Sequence, residues 1–296
     1  MESIPMYLGL WDCLKGFLTF DVSRRDVNGL INSKGGDYYY TRGNIADRGP
    51  CPGLNALANQ GYLPRDGKNI TLPQVEEALR ISLHMEKSLA SSITRPLRPL
   101  LRKDGTFDLV LMRQHNVIEH DASFTRLDFR EGDNYNFQPR LFRAMLDDAG
   151  NGPITISSLA KTYIRRNKES RAAGAPALPW NLWFVNLLQS VSLMNTAKMG
   201  GKLDREVLRA FYEEERFPEV ILENGEERTL VGLVGFAVAL LFCVGLGVRC
   251  WAVLDAGLLG RTSNDDVGKS VVAKVKPAKG LFRRLTDGRK GLGIRI

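Results

Sequence analysis

Between Arg228 and Arg249 the chain runs for twenty residues, Thr229 to Val248, without a single charge. At 1.5 Å rise per residue such a helix would be roughly 30 Å long, the thickness of a bilayer's hydrocarbon core. Gly232, Gly235, Gly245 and Gly247 are costly in a soluble helix but common in membrane ones. Trp251 stands where an interfacial aromatic belongs. The run therefore predicts one membrane-spanning helix over 229–248, with a buried core helix followed by an unrelated tail as the alternative. Gly260 to Ile296 is Gly-, Lys- and Arg-rich and poorly patterned, like a solvated juxtamembrane tail.

The charge distribution agrees with that division. Of the net +8, a balance of +7 lies between Ala256 and Ile296, where ten Lys/Arg face three Asp, so the rest of the chain is near neutral. A basic segment beside a membrane helix suits anionic lipid headgroups. Nucleic acid is not an expected partner, because the basic segment 256–296 has one aromatic, Phe282, and no recognisable module. Positive residues after the span put the tail, 249–296, in the cytosol and the body on the lumenal or extracellular side. On that side the lone sequon Asn69-Ile70-Thr71 would make a glycoprotein.

Residues 1–20 are apolar but interrupted by Asp12 and Lys15. Leu8, Trp11, Leu14 and Leu18 recur at helical spacing, which predicts an amphipathic segment, with a weak signal anchor as the alternative. Residues 21–50 read as irregular chain wrapping the body. The rest of the body, to 228, is helical in pattern, with candidates at 55–59, 72–89, 158–167, 181–194 and 204–215. An all-α domain over 21–228 is the expectation. Cys13, Cys51, Cys243 and Cys250 do not form a disulfide framework, since two of them lie in or beside the apolar run.

The most informative stretch is Arg48-Gly-Pro-Cys51-Pro-Gly-Leu-Asn-Ala-Leu-Ala-Asn-Gln-Gly61. Pro52 fits the first helical position, where a missing N–H costs nothing. Cys51 then sits at the helix cap, facing unpaired N–H groups that lower a thiol's pKa. A rigid thiolate on a short helix is what a haem iron ligand requires. Read blandly, Cys51 is a small buried residue at a tight turn.

The run from Pro50 to Ile70 resembles the fungal haem-thiolate peroxidases, the chloroperoxidase and unspecific peroxygenase family. Glu119-His120-Asp121-Ala-Ser123-Phe-Thr-Arg126 is similar to that family's second motif, and Phe211-Tyr-Glu-Glu-Glu-Arg-Phe-Pro218 to a later segment. The resemblance implies a chloroperoxidase-like all-α haem domain binding haem b, with Cys51 as the proximal iron ligand. It also implies a Mg2+- or Mn2+-type ion bridging to a haem propionate. Glu119 and Ser123, four apart and so on one face of a helix, fit that ion. His120, near the distal pocket in the family, pairs with Asp121 as an acid–base candidate. The residues alone would equally make a solvated, charged helix start. His84 and His115 read as surface or packing residues.

The family's distal acid–base Glu has no counterpart. Asn181 to Met194 contains no carboxylate, and Gln189 is the nearest polar match. Glutamine can orient peroxide but cannot shuttle its proton. The reading is thus a membrane-tethered peroxidase or peroxygenase oxidising a lipophilic small molecule with peroxide, in secondary-metabolite biosynthesis. The alternative is a haem-binding pathway protein without peroxidase turnover, aiding a rearrangement or cyclisation or scaffolding other membrane enzymes.

Overall fold

A computed structural model describes residues 38–246. The expected amphipathic or signal-anchor segment at 1–20 and the basic tail at 249–296 lie outside the described residues. In chain order the helices are α1 (Pro52–Asn59), α2 (Leu72–Leu83), α3 (Lys87–Thr94), α4 (Pro139–Asp148) and α5 (Ile156–Ala172). There follow α6 (Trp180–Ala197), α7 (Arg205–Tyr212), α8 (Glu219–Leu222) and α9 (Leu230–Leu246). Four two-residue strands make two clasps. β1 (Ile70–Thr71) pairs antiparallel with β2 (Thr106–Phe107), and β3 (Ile154–Thr155) with β4 (Lys202–Leu203). Each clasp pairs buried residues, Ile70 with Phe107 and Ile154 with Leu203. The described body is mostly helical, as expected.

Local chemistry sets the helix ends. Thr71 and Thr155 each accept from the backbone three residues on and are bonded in return by Gln74 and Ser158, closing capping boxes on α2 and α5. The expected helix over 72–89 is two. His84 turns left-handed at φ 49°, and its carbonyl accepts from the Arg228 amide at 3.0 Å while Glu86 donates to the Arg228 carbonyl at 3.0 Å. These bonds to a distant strand-like segment replace the helical ones, so α3 must start afresh. Helix α4 carries the apolar stripe Leu141, Phe142 and Met145, and the sequence reading passed it over.

Between Arg228 and Leu246 the structure departs most from expectation. Arg228, read as the flank of a spanning helix, is fully buried. Its guanidinium donates to the carbonyls of Thr196, Ile221, Asn224 and Glu226, fastening the end of α6 to α8 and to the entry of α9. Helix α9 packs along α5 and α6, burying Leu233, Ala237, Leu240 and Cys243. Among the described residues no helix is long and apolar enough to cross a membrane. The last two residues of the expected span lie outside the described residues.

Arg228→Met should lower stability by about 3 kcal/mol or more, since several buried carbonyls lose their donor at once. A fall in the urea midpoint at unchanged slope would show it.

Candidate active site

Gly49, Pro50 and Pro52 fix the approach to α1. A Cβ on Gly49 would stand 2.5 Å from the Leu109 carbonyl oxygen, so only glycine lets the two backbones pass. Asn55, fully buried, bonds both the amide and the carbonyl of Gly49 and so folds the Pro-Cys-Pro turn back onto its own helix. Pro52 takes the first helical position and Cys51 the N-cap, as the sequence predicts. The amides of Leu54 and Gly53 aim at the sulfur and favour the thiolate, as does the Arg126 cation. Burial outweighs them, and the thiol is pushed above its usual range rather than below it. The cap position is right; the expected net lowering is not, because desolvation in the half-buried, mainly apolar wall outweighs the two amides and the cation.

Beneath Cys51 lies an ion pair that the sequence reading missed. Arg126 and Glu215 are both buried and 3.1 Å apart. Glu215 also accepts from Asn55 at 2.8 Å, and its backbone carbonyl from Asn59 at 3.1 Å. Asn59 in turn receives the buried guanidinium of Arg48. Nε of Arg126 has no partner among the described residues. Burial pushes the Glu215 carboxyl up, opposed by Arg126 and Asn55, and pushes the phenol of neighbouring Tyr212 to about 12. The only signal available was that both charges lie within the motifs that carry the resemblance.

Residues 119–126 form no helix, so Glu119 and Ser123 do not share a helical face. Asn116 and Ala122 both turn left-handed, at φ 64°. Carboxylates staple the loop: Asp121 accepts from the Phe129 amide and Asp128 from the Ala122 amide, each at 2.8 Å. Arg166 holds Asp128 at 3.0 Å and the Ser123 carbonyl at 2.8 Å. This is no solvated segment, for Glu119, His120 and Asp121 are all buried. His115 is more than packing. Its Nδ1 lies 2.7 Å from Glu119 Oε2, and its ring stacks on Phe129.

One cavity collects most of the expected residues. Cys51, Glu119, His120, Ser123 and Gln189 line it, together with Arg126. Asp121 does not; its side chain faces the loop. The walls are mainly apolar, with Leu79, Leu83, Ile93, Phe124 and Leu193 among them. The free space is about 1160 Å³, part of it open to solvent. Cofactor pockets are typically apolar with a few placed polar groups, and this lining has that chemistry. The partnerless Nε of Arg126 and the buried, partnerless amide nitrogen of Asn186 leave donors on its lining for a polar group of a ligand.

His120 and Gln189 face each other across this space. His120 Nδ1 is 2.8 Å from the Asp121 carbonyl, which can only accept, so Nδ1 carries a proton. Burial pulls the ring's pKa below 6.5, which keeps it neutral. Nε2 is then an acceptor, 3.1 Å from the Gln189 side-chain amide. Amide oxygen and nitrogen exchange by a half turn, and the neutral ring selects the orientation in which the NH2 donates. The pair is uncharged.

The fit for a metal ion is weaker. Glu119 is engaged by His115, and the Ser123 hydroxyl donates to the His120 carbonyl at 3.1 Å. Among the described residues no three His, Cys, Asp or Glu side chains gather as a cage.

Residues 37–227 match the family described as Peroxidase, family 2. The chain is 32% identical over 163 residues to a chloroperoxidase of Leptoxyphium fumago, covering 50% of this chain and 42% of that protein. It is 26% identical over 221 residues to an aromatic peroxygenase of Cyclocybe aegerita, covering 63% and 57%. It is 27% identical over 169 residues to a dothistromin biosynthesis peroxidase of Dothistroma septosporum, covering 50% and 41%. The chain thus spans about half the length of these relatives.

The neutral His120 has a consequence for folding. As pH falls below 6.5, an unfolded histidine takes up a proton that the buried ring refuses, so native stability is lost progressively. Glu119 and Glu215, raised above 4.5, work in the opposite sense at lower pH. Urea titrations should find wild type losing stability relative to His120→Asn as pH drops from 6.5. Parallel curves would mean that the ring titrates normally.

Proposed function

The chain belongs to peroxidase family 2, the fungal haem-thiolate peroxidases, and from that premise we propose that its cavity binds haem b through Cys51 and uses peroxide to oxidise a lipophilic small molecule. The observation that carries this reading is a cysteine preset at a helix cap and a buried histidine on the wall of one apolar cavity. The dothistromin biosynthesis peroxidase among the relatives supports a role in secondary-metabolite biosynthesis. When bound, the haem supplies the redox chemistry, and a thiolate ligand favours O–O cleavage.

The chain's own residues have separate tasks. The amides of Gly53 and Leu54 and the Arg126 cation stabilise sulfur as an anion once its proton leaves, offsetting its desolvation. The apolar walls bind a lipophilic substrate and exclude water. The Asp121 carbonyl fixes the His120 tautomer, which leaves Nε2 as the only lone pair on that ring. For His120 to take a peroxide proton at Nε2, the Gln189 amide must first give way. A ring with a lowered pKa then releases that proton readily to the leaving oxygen. Glu119 and Ser123 would hold a Mg2+- or Mn2+-type ion beside a haem carboxylate only after His115 releases Glu119.

One observation favours a second reading. Gln189, the nearest polar match to the family's distal acid–base Glu, makes a neutral pair with His120, which suits a haem protein that steers a rearrangement or cyclisation without peroxide turnover.

The two readings separate by measurement. Reduced, carbon-monoxide-bound protein should show the red-shifted Soret band of thiolate ligation, and Cys51→Ala should abolish it; a histidine-type band would refute Cys51 as ligand. Gln189→Glu should raise peroxide-driven dye oxidation by about 10²-fold, the usual worth of a positioned general base. Haem-loaded wild type and variant that both stay inert would leave the non-peroxidase reading.

A further inference from the structure

Helix α9 has two apolar faces, and among the described residues only one is covered. Leu233, Ala237, Leu240 and Cys243 recur three and four apart and are buried against α5 and α6. On the other side Val231, Gly235, Val238, Phe242 and Gly245 recur at the same spacing and are exposed. Val231 is 58% exposed, Val238 60% and Phe242 55%. No polar side chain occurs anywhere from Leu230 to Leu246. The outward face of a helix on a globular body is ordinarily polar, and a helix apolar all round is made for a second apolar medium.

The surroundings indicate which medium. Ile164 on α5 and Trp180 and Trp183 on α6, the two helices under α9, are exposed as well. Tryptophan is the residue that settles at a membrane–water boundary. Beyond α9 the chain continues into the segment 256–296, with its balance of +7. An apolar stripe followed in sequence by a segment of net positive charge complements acyl chains lying under anionic headgroups. A second copy of this chain seated on the stripe would cover the apolar face but add a second segment of +7 balance to the same assembly.

We propose that α9 lies in the plane of an anionic bilayer surface, its Val231–Val238–Phe242 face entering the acyl boundary. The body beneath α9 stands where an isolated surface helix would carry its polar face. Nothing here depends on the chemistry in the cavity.

Flotation of the full chain tests it, using vesicles of phosphatidylcholine alone and of phosphatidylcholine with phosphatidylserine. Wild type should float with the anionic vesicles, less so as salt rises. Phe242→Asp and, separately, Val238→Asp should each float at least about tenfold less, with unchanged circular dichroism, since a charge would have to enter the acyl boundary. Both positions are exposed, so both variants keep their fold. Three results would overturn the proposal: folded variants that float like wild type, a wild type that ignores vesicles as a monomer, or one that instead dimerises through this face.

Discussion

The candidate site depends on the buried contact between Arg126 and Glu215. Three stretches far apart in sequence meet there: the cysteine turn and α1, the loop after His120, and the end of α7. Glu215 reaches this position in a left-handed backbone conformation, at φ 52°, which a β-carbon normally disfavours. The strain is held by Asn55 on its carboxylate, Asn59 on its carbonyl and Arg126 opposite. Removing one member of a buried pair costs about 3–5 kcal/mol, because the other charge stays behind without water. Conserving energy here therefore means keeping all three stretches together.

The same pair bears on the sulfur. A buried thiol in an apolar wall prefers its proton, and the Cys51 thiol does. What the fold provides is an environment whose cost for the anion has been reduced beforehand by two backbone amides and one fixed cation. Glu215 takes part of that cation's field away, since its charge raises the Cys51 pKa as Arg126 lowers it. The site is poised for a ligand that displaces the proton, and it does not hold a free thiolate in waiting.

Much of this was legible in the sequence, and the misses have causes. Cys51 as N-cap and Pro52 as first helical residue could be read because capping and proline chemistry are local. Gln189 facing His120 could be placed only through the resemblance, since the two are joined by tertiary packing across 69 residues. The helix expected at 119–123 failed because Asp121 and Asp128 bind loop amides instead of water, a competition that periodicity does not register. The break at His84 came from the backbone bonds of His84 and Glu86 to the distant Arg228, and the Glu86 carboxylate also accepts from the Leu230 amide, 144 residues on. Arg126 and Glu215 were quoted within motifs yet given no role, because charge in a sequence gives no sign of burial.

The run at 229–248 shows how one composition answers to two solvents. Twenty uncharged residues are long enough for a bilayer, and hydropathy cannot tell lipid from a protein core. Arg228 separates the alternatives. A residue flanking a span would reach toward headgroups, but this one is enclosed by four carbonyls from α6, α8 and the turn between α8 and α9. The clamp fixes where α9 starts and makes it lie along α5 and α6. Once that face is committed to the body, the remaining apolar stripe must find its second environment from the side. Packing on the body therefore turns the question from how far the helix extends to what its outer face meets.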